Sequence, residues 1–188
     1  MINRQEILDI FAETGAALDG HFLLTSGKHS AKYMQCAKLF QYPLHSKRLC
    51  AELASRFNGV DLVIGPAMGG IIMAYEVAVA LSVRNVFAER QDGAMQLRRG
   101  FEIKLGEKVL VCEDAVTTGG SVKEVIELVK QAGGEVIGVA SIVDRSGGKA
   151  DFGRRFESLL AIDIENYEPD ACPLCKNGST AIKPGSRK

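Results

Sequence analysis

One stretch limits the possible folds more than any other, the run Lys108-Val109-Leu110-Val111-Cys112-Glu113-Asp114-Ala115-Val116-Thr117-Thr118-Gly119-Gly120-Ser121-Val122. Its β-branched apolar segment ends abruptly in two carboxylates, then passes through hydroxyls and glycines into a helical pattern. A strand, a tight loop and a helix N-terminus follow from that order. Such a loop turns backbone N–H groups and hydroxyls toward one point, where the helix dipole favours an anion, so a phosphate is the expected guest. Glu113 and Asp114 repel a phosphate and therefore have another task beside it, binding hydroxyls or facing a developing positive charge. Phosphate and polyol together point to a sugar phosphate.

Other strands and helices alternate around this motif. Asn3 and Glu6 form a capping-box pattern before a helix carrying Ile7, Leu8 and Phe11. Phe22-Leu23-Leu24 and Tyr33-Met34-Gln35 flank the turn-rich Thr25-Ser26-Gly27-Lys28-His29-Ser30 and read as short irregular strands of a flap or hood. Pro43 opens a helix whose apolar positions Leu44, Leu49, Leu53 and Phe57 are expected to face the core, closed by Asn58-Gly59. Asp61-Leu62-Val63-Ile64 is a buried strand entering a second glycine-rich loop, Gly65-Pro66-Ala67-Met68-Gly69-Gly70, with an apolar helix from about Ile71 to Leu81. Asn85 to Ala88 is the next strand, and Glu89 to Gly100, with Arg90, Arg98 and Arg99, reads as a mobile loop or β-arm. A helix over Val122–Ala132, a strand over Val136–Val143 ending in Asp144-Arg145, and a strand over Leu159–Ile164 complete the pattern. The predicted fold class is α/β, a mostly parallel twisted sheet flanked by helices, with ligands bound beyond the carboxyl ends of the strands.

Length and composition narrow the setting. A chain of 188 residues with 46% hydrophobic and 24% charged residues suits one soluble domain, and no apolar run is long enough to span a bilayer. Polar residues from Asn3 to Asp9 interrupt any signal-peptide core, so a cytoplasmic location is expected. Basic and acidic residues balance at 23 each, which leaves no global field for nucleic acid or membrane. Five cysteines without a secretory signal read as reduced thiols. Cys36, Cys50 and Cys112 suit small buried positions, whereas Cys172-x-x-Cys175 is half of a zinc site, a redox pair or a reduced turn. His21, His29 and His45 show no metal-ligand spacing and are expected to be surface or satisfied core residues, with no metal held by the protein itself.

The run Val109 to Asp114 with Thr117 to Ser121 resembles the phosphoribosyl diphosphate signature of type I phosphoribosyltransferases. Within that group the chain is most similar to the orotate phosphoribosyltransferases, through Phe22 to Ser30, Gly65 to Gly70, Leu97-Arg98-Arg99-Gly100-Phe101 and Ser141-Ile142-Val143-Asp144-Arg145. The tail, Cys172-Pro173-Leu174-Cys175 with Lys183-Pro184-Gly185-Ser186-Arg187, is similar to a branch found among thermophilic and related bacteria.

The resemblance implies the type I phosphoribosyltransferase fold in a single domain over 1–188, with a small hood formed mainly by 1–40 and a contribution from 150–188. The implied reaction joins orotate to phosphoribosyl diphosphate, giving orotidine 5'-monophosphate and pyrophosphate in pyrimidine synthesis. Ala115, Val116, Thr117, Thr118, Gly119, Gly120 and Ser121 would hold the 5'-phosphate. Glu113 and Asp114 would hold the ribose hydroxyls and favour oxocarbenium character, and Arg90 would act on the leaving group. Ala67, Met68, Gly69, Gly70, Arg98 and Arg99 would take the pyrophosphate. Arg145, Thr117 and Lys28 would take orotate. Magnesium is expected to arrive on the substrate, and a homodimer is typical of the family.

Three positions depart from the family pattern. Thr25 stands where a lysine usually contacts orotate, Gly69 where the pyrophosphate loop usually has lysine, and the mobile arm matches comfortably only at Arg90. Lys28 is the candidate replacement for the first. Arg98 and Arg99 are open to either a phosphate role or an exposed or dimer-contact role. Two alternatives remain at this level, a purine phosphoribosyltransferase and a nucleotide-sensing regulator on the same fold.

Overall fold

A computed structural model describes residues 2–24 and 26–184. Thr25, one of the three departures, and Gly185, Ser186 and Arg187 of the tail lie outside the described residues.

Six strands make the main sheet: β3 (Leu62–Pro66), β4 (Arg84–Gln91), β5 (Ala94–Leu97), β6 (Lys108–Val116), β7 (Glu135–Asp144) and β8 (Phe156–Ala161). Their order is β5-β4-β3-β6-β7-β8, and every pairing is parallel except the β4–β5 hairpin at one edge. The central strand residues Val109, Leu110, Val111 and Cys112 are wholly buried, as a strand covered on both faces requires.

Helices cover the two faces unequally. On one side lie α1 (Arg4–Glu13), α2 (Pro43–Ala54) and α3 (Gly69–Leu81), whose Phe11, Leu49, Leu53, Met73 and Val77 pack with Val63, Leu110 and Ile142. On the other, α4 (Gly120–Gln131) buries Val122, Val125, Ile126 and Val129 against Leu62, Ile64, Val109 and Val111. The α1 capping box is formed, with Asn3 accepting from the Glu6 backbone and Glu6 accepting from the Asn3 backbone. Pro43 sits in the first turn of α2, where its missing N–H costs nothing.

A second sheet of three antiparallel strands joins β1 (Ala17–Leu23), β2 (His29–Met34) and β9 (Asn166–Tyr167). Chain ends far apart in sequence thus meet in one small sheet, extended by Leu23 donating to the Ile182 carbonyl and Ile182 donating to that of His21. A 3₁₀ turn over Cys36–Gln41, not anticipated from the sequence, leads from this sheet into α2.

Several details differ from the sequence reading: α2 ends at Ala54, short of Asn58-Gly59, and Leu44 in its first turn is exposed and not core-facing, because the apolar stripe of the helix runs through Leu49 and Leu53. The arm after β4 is an ordered hairpin whose two-residue turn, Asp92-Gly93, has positive φ at both positions, 51° and 84°. Those angles are the type I′ turn that Asp-Gly favours, because it matches the right-handed twist of the strands. The last strand of the main sheet runs over Phe156–Ala161, so Ile162 and Ile164 lie beyond it, packed at the edge of the α1 core.

Candidate active site

Because β3, β4, β6, β7 and β8 run parallel, their carboxyl ends share one edge of the sheet. The loops after β3, β6 and β7 open there. Glu113 and Asp114 are the last residues of β6 but two, both half-buried, and Glu113 pairs in register with Ser141 of β7. Asp114 Oδ1 accepts the Ala115 N–H at 2.9 Å, and Glu113 Oε1 accepts that of Asp114 at 3.3 Å. Burial first, and then the neighbouring Asp114 charge, push the Glu113 carboxyl well above the usual carboxylate range. Two acids held side by side in a half-buried site do not both ionise readily, so the pair has an affinity for a proton, a cation or hydroxyl donors.

The loop from β6 into α4 makes the anion cradle. Gly119 precedes α4 in the left-handed conformation, φ 75°, and no side chain caps the helix, so the free N–H groups of its first turn point into the loop. A side chain at Gly119 would also meet the Phe152 ring at 2.7 Å. The loop encloses a cavity of about 70 Å³ lined by Glu113, Ala115, Val116, Thr117, Thr118, Gly119, Gly120, Ser121 and Val122. That is room for a group of phosphate size, not for a nucleobase.

The loop after β3 is built by contact between backbones. A Cβ at Gly65 would fall on the Gly70 carbonyl, and a Cβ at Gly70 would stand 2.9 Å from the Cys112 carbonyl oxygen. A Cβ at Gly69 would stand 2.6 Å from Asp114 Oδ1. Gly69 therefore leaves the Asp114 carboxylate the space in which it stands, and the two loops form one wall. The Ala67–Met68 peptide in this wall is cis, and Ala67 donates to the Ala88 carbonyl within β4.

Arg145 closes the third side. Its backbone N–H donates to the Val116 carbonyl at 2.7 Å, which ties the loop after β7 to the end of β6. Its guanidinium Nε is buried without a hydrogen-bond partner among the described residues. Unpartnered buried donors are rare in folded proteins, and this one calls for an acceptor brought from outside. Charges of Asp114, Glu113 and Arg145 all act on the buried Cys36 thiol at the start of the 3₁₀ turn, which burial pushes well above its ordinary value. Cys36 is buried, as expected of a small apolar position.

The structure thus brings together Glu113, Asp114, the residues from Ala115 to Ser121, Gly69, Gly70 and Arg145. The other candidates are held by partners within the chain. Arg90 donates to Glu124 Oε1 and to the Gly93 carbonyl, each at 2.7 Å. Arg99 forms a forked contact with Glu89 at 3.0 and 3.2 Å, and Arg98 reaches the same carboxylate at 3.7 Å. Lys28 pairs with Glu168 at 2.8 Å. Each of these pairs is solvent-exposed on at least one side and contributes little to stability, so each can open at low cost.

His21 and His29 correct the expectation of isolated, satisfied histidines, because both stand against Cys172 and Cys175. The partner thiol of His21 lies 151 residues along the chain, and local spacing carries no trace of the meeting.

A family model described as a phosphoribosyl transferase domain matches residues 41–152, which includes both glycine-rich loops and Arg145. An orotate phosphoribosyltransferase of Desulforamulus reducens is 60% identical, covering 100% of this chain and 99% of its own. The chain belongs to the orotate phosphoribosyltransferase family. Another member, from Thermotoga maritima, is 57% identical over 96% of this chain and 98% of its own. Among solved structures, the orotate phosphoribosyltransferase of Aeropyrum pernix superposes with a TM-score of 0.70 at 27% identity, covering 83% of this chain and 93% of that one. The Mycobacterium tuberculosis orotate phosphoribosyltransferase in complex with inorganic phosphate gives 0.67 at 27% identity, covering 84% and 95%. An adenine phosphoribosyltransferase of Thermoanaerobacter pseudethanolicus, at 18% identity and a TM-score of 0.61, shares the fold. For this family member the α/β architecture with a mainly parallel sheet is as expected from the sequence.

Proposed function

We infer that the chain transfers the 5-phosphoribosyl group from phosphoribosyl diphosphate to orotate, forming orotidine 5'-monophosphate and pyrophosphate for pyrimidine synthesis. The observation that carries this reading is the buried, unpartnered Nε of Arg145, a residue tied by its backbone N–H to the end of the strand that carries Glu113 and Asp114, in a chain 60% identical over its length to an orotate phosphoribosyltransferase. A carboxylate on the base satisfies a guanidinium in a forked geometry, and a purine has none to offer. The adenine-directed relatives resemble this chain at the level of fold only.

In this reading the 5'-phosphate occupies the cradle from Ala115 to Ser121, and Glu113 and Asp114 accept hydrogen bonds from the ribose hydroxyls. Their negative field favours positive charge at the anomeric carbon as the diphosphate departs. Ala67, Met68, Gly69 and Gly70 line the diphosphate side, where the absence of side chains at the glycines admits close backbone approach. Orotate lies against Arg145, with Thr117 at the adjoining edge. Lys28 completes the orotate side from the turn before β2 once it leaves Glu168. Arg90, with Arg98 and Arg99, swings on the β4–β5 hairpin to neutralise the departing pyrophosphate and keep water from the activated sugar. The small sheet of β1, β2 and β9 serves as the hood over the base.

The residues also fit a magnesium ion delivered on the diphosphate. Two adjacent carboxylates without further oxygen donors do not make a cage, and magnesium bound chiefly by phosphates and water needs none. When bound, the ion neutralises diphosphate charge; the orientation of ribose and base is the work of the chain itself.

Pyrophosphate release is the direct test, measured with phosphoribosyl diphosphate, magnesium and either orotate, hypoxanthine, adenine or uracil. Orotate alone is expected to support turnover, and turnover with only a purine would overturn the assignment. For Arg145→Ala, the KM for orotate is expected to rise by about one to two orders of magnitude, the scale of a lost charge-assisted pair. Affinity for phosphoribosyl diphosphate should stay within a few-fold, and an equal loss of both would move Arg145 away from the base.

The protein is proposed to work as a cytoplasmic homodimer. All five cysteines are unpaired, as in a reducing compartment. Along α3 and its N-cap, Met68, Ile72, Tyr75 and Val79 are 85%, 47%, 57% and 51% exposed, and Leu44 at the start of α2 is 84% exposed. Apolar groups at that helical spacing on the surface suit a self-complementary contact. Ile72→Glu is expected to shift sedimentation from dimer to monomer. A wild-type chain that sediments as a monomer at assay concentrations would remove the dimer.

A further inference from the structure

We propose that His21, His29, Cys172 and Cys175 form a structural zinc site that fastens the C-terminal tail to the β1–β2 hairpin. The four side chains come from three elements: His21 from β1, His29 from the first position of β2, and both cysteines from a short helix, α5 (Pro173–Lys176), Cys172 at its N-cap and Cys175 within it. Their ligand atoms all lie within 4.8 Å of one another. His21 Nε2 stands 2.9 Å from His29 Nδ1, 3.5 Å from the Cys172 sulfur and 3.8 Å from the Cys175 sulfur. Cys175 Sγ is 3.3 Å from His29 Nδ1. A tetrahedral zinc ion with Zn–N of about 2.0–2.1 Å and Zn–S of about 2.3 Å sets its ligands roughly 3.3–3.8 Å apart. Three of the four closest separations fall in that range, the remaining adjustments are about an ångström or less, and the donor set is that of a structural zinc site.

The outer contacts of His21 suit the same role. Its Nδ1 lies 3.1 Å from both the Ser179 carbonyl oxygen and the Ser179 hydroxyl; in the tautomer in which Nδ1 donates to the carbonyl, the Nε2 lone pair is left for the cluster. A metal-binding histidine is oriented by this kind of contact from its other nitrogen. His21 is 6% exposed and Cys172 fully buried, while Cys175 lies toward the surface, so the site is sunk into the protein with an entrance on one side. Soft thiolates with imidazole in tetrahedral array select zinc over the oxygen-seeking magnesium of the reaction.

The tail also needs such a fastening. Beyond Leu160, Cys172 is the one residue buried among the described residues, and only Ile162 and Ile164, at the start of the segment, pack against the main core. Its other ties are the two-residue pairing of β9 with β2, the Ile182 bridge, the Ser30 hydroxyl donating to the Glu165 carbonyl, and the exposed Lys28–Glu168 pair. A metal supplies what a small unit without a core lacks. His21 and His29 flank the turn that carries Lys28, so the ion would clamp both ends of that turn.

Full-length protein without a histidine tag, purified in reducing buffer without chelator, is expected to contain one zinc per chain by plasma mass spectrometry. Cys175→Ser and His29→Ala should each lose most of it, while His45→Ala, on the distant α2, keeps it. After zinc is stripped with a mercurial and chelator, cobalt added to the reduced wild-type chain should give thiolate charge-transfer and tetrahedral ligand-field bands. Restoring zinc should raise the unfolding temperature. The cobalt spectrum requires no variant to fold. Zinc-free protein that neither yields this spectrum nor gains stability from added zinc would overturn the site, as would zinc contents equal in wild type and Cys175→Ser. Orotate turnover is not needed for any of these readings, so the site stands or falls apart from the assignment of the reaction.

Discussion

Replacing Glu113 and Asp114 together by their amides is expected to lower turnover by about 10²–10³-fold, the scale of removing a preorganised electrostatic contact to a charged transition state. The fold should be kept, because the amides are nearly isosteric and can still accept from the Ala115 and Asp114 N–H groups. Steady-state kinetics with far-ultraviolet circular dichroism checks both halves, and unchanged turnover would remove the pair from the chemistry. A single Glu113→Gln change separates function from stability. In the folded, ligand-free protein, burial and the Asp114 charge hold the Glu113 carboxyl above its unfolded value. The folded state therefore binds the proton more tightly, and that contribution is complete below the ordinary glutamate range and is lost as pH rises toward the raised value. The unfolding temperature of the wild type should fall across this window, and that of Glu113→Gln should fall less. Parallel curves would show that Glu113 does not titrate there. A less active but more stable variant is the usual signature of a site strained for function.

Gly65→Ala is expected to be the most disruptive small change in the loop after β3. The added methyl falls on the Gly70 backbone and lies 3.1 Å from the Ala74 methyl, and neither neighbour is the flexible end of a long side chain. Overpacking of this kind costs about 1–3 kcal/mol, seen as a lower midpoint in urea. Since Gly70 in turn sits against the Cys112 carbonyl, the displacement reaches the strand that carries the acids, and turnover should fall by at least tenfold. Gly69→Ala is the informative contrast. The three atoms nearest its methyl all belong to the Asp114 carboxylate, at 2.6–3.0 Å, so the side chain is expected to rotate away with little loss of stability while turnover drops. Equal losses of stability in the two variants would contradict the distinction between a backbone clash and a carboxylate displaced.

Gly69 also shows why one departure from the family pattern has a local explanation. A lysine there would need a Cβ in the space taken by Asp114, and the glycine and the acid are matched in this chain. The sequence shows the glycine but not its neighbour. The arm from Glu89 to Gly100 is the reverse case, since Asp92-Gly93 is a strong hairpin signal and the ordered turn was legible locally. What was not legible was that Arg90, Arg98 and Arg99 would find carboxylates of their own chain, Glu124 and Glu89.

By itself the sequence determined the alternation of strands and helices, the capped start of α1, the glycine- and hydroxyl-rich loop between β6 and α4, and the placement of the glycine-rich loops at one sheet edge. Each depends on neighbours along the chain: apolar period, capping residues, and glycine where a turn needs positive φ. Tertiary structure alone decided that Gly69 leaves space for Asp114, that Arg145 keeps a buried nitrogen unpartnered, and that two histidines of β1 and β2 meet two cysteines of the tail. Those contacts join segments from about 30 to about 150 residues apart, where closing the loop is repaid only once the intervening sheet has formed, and no local pattern marks the partners.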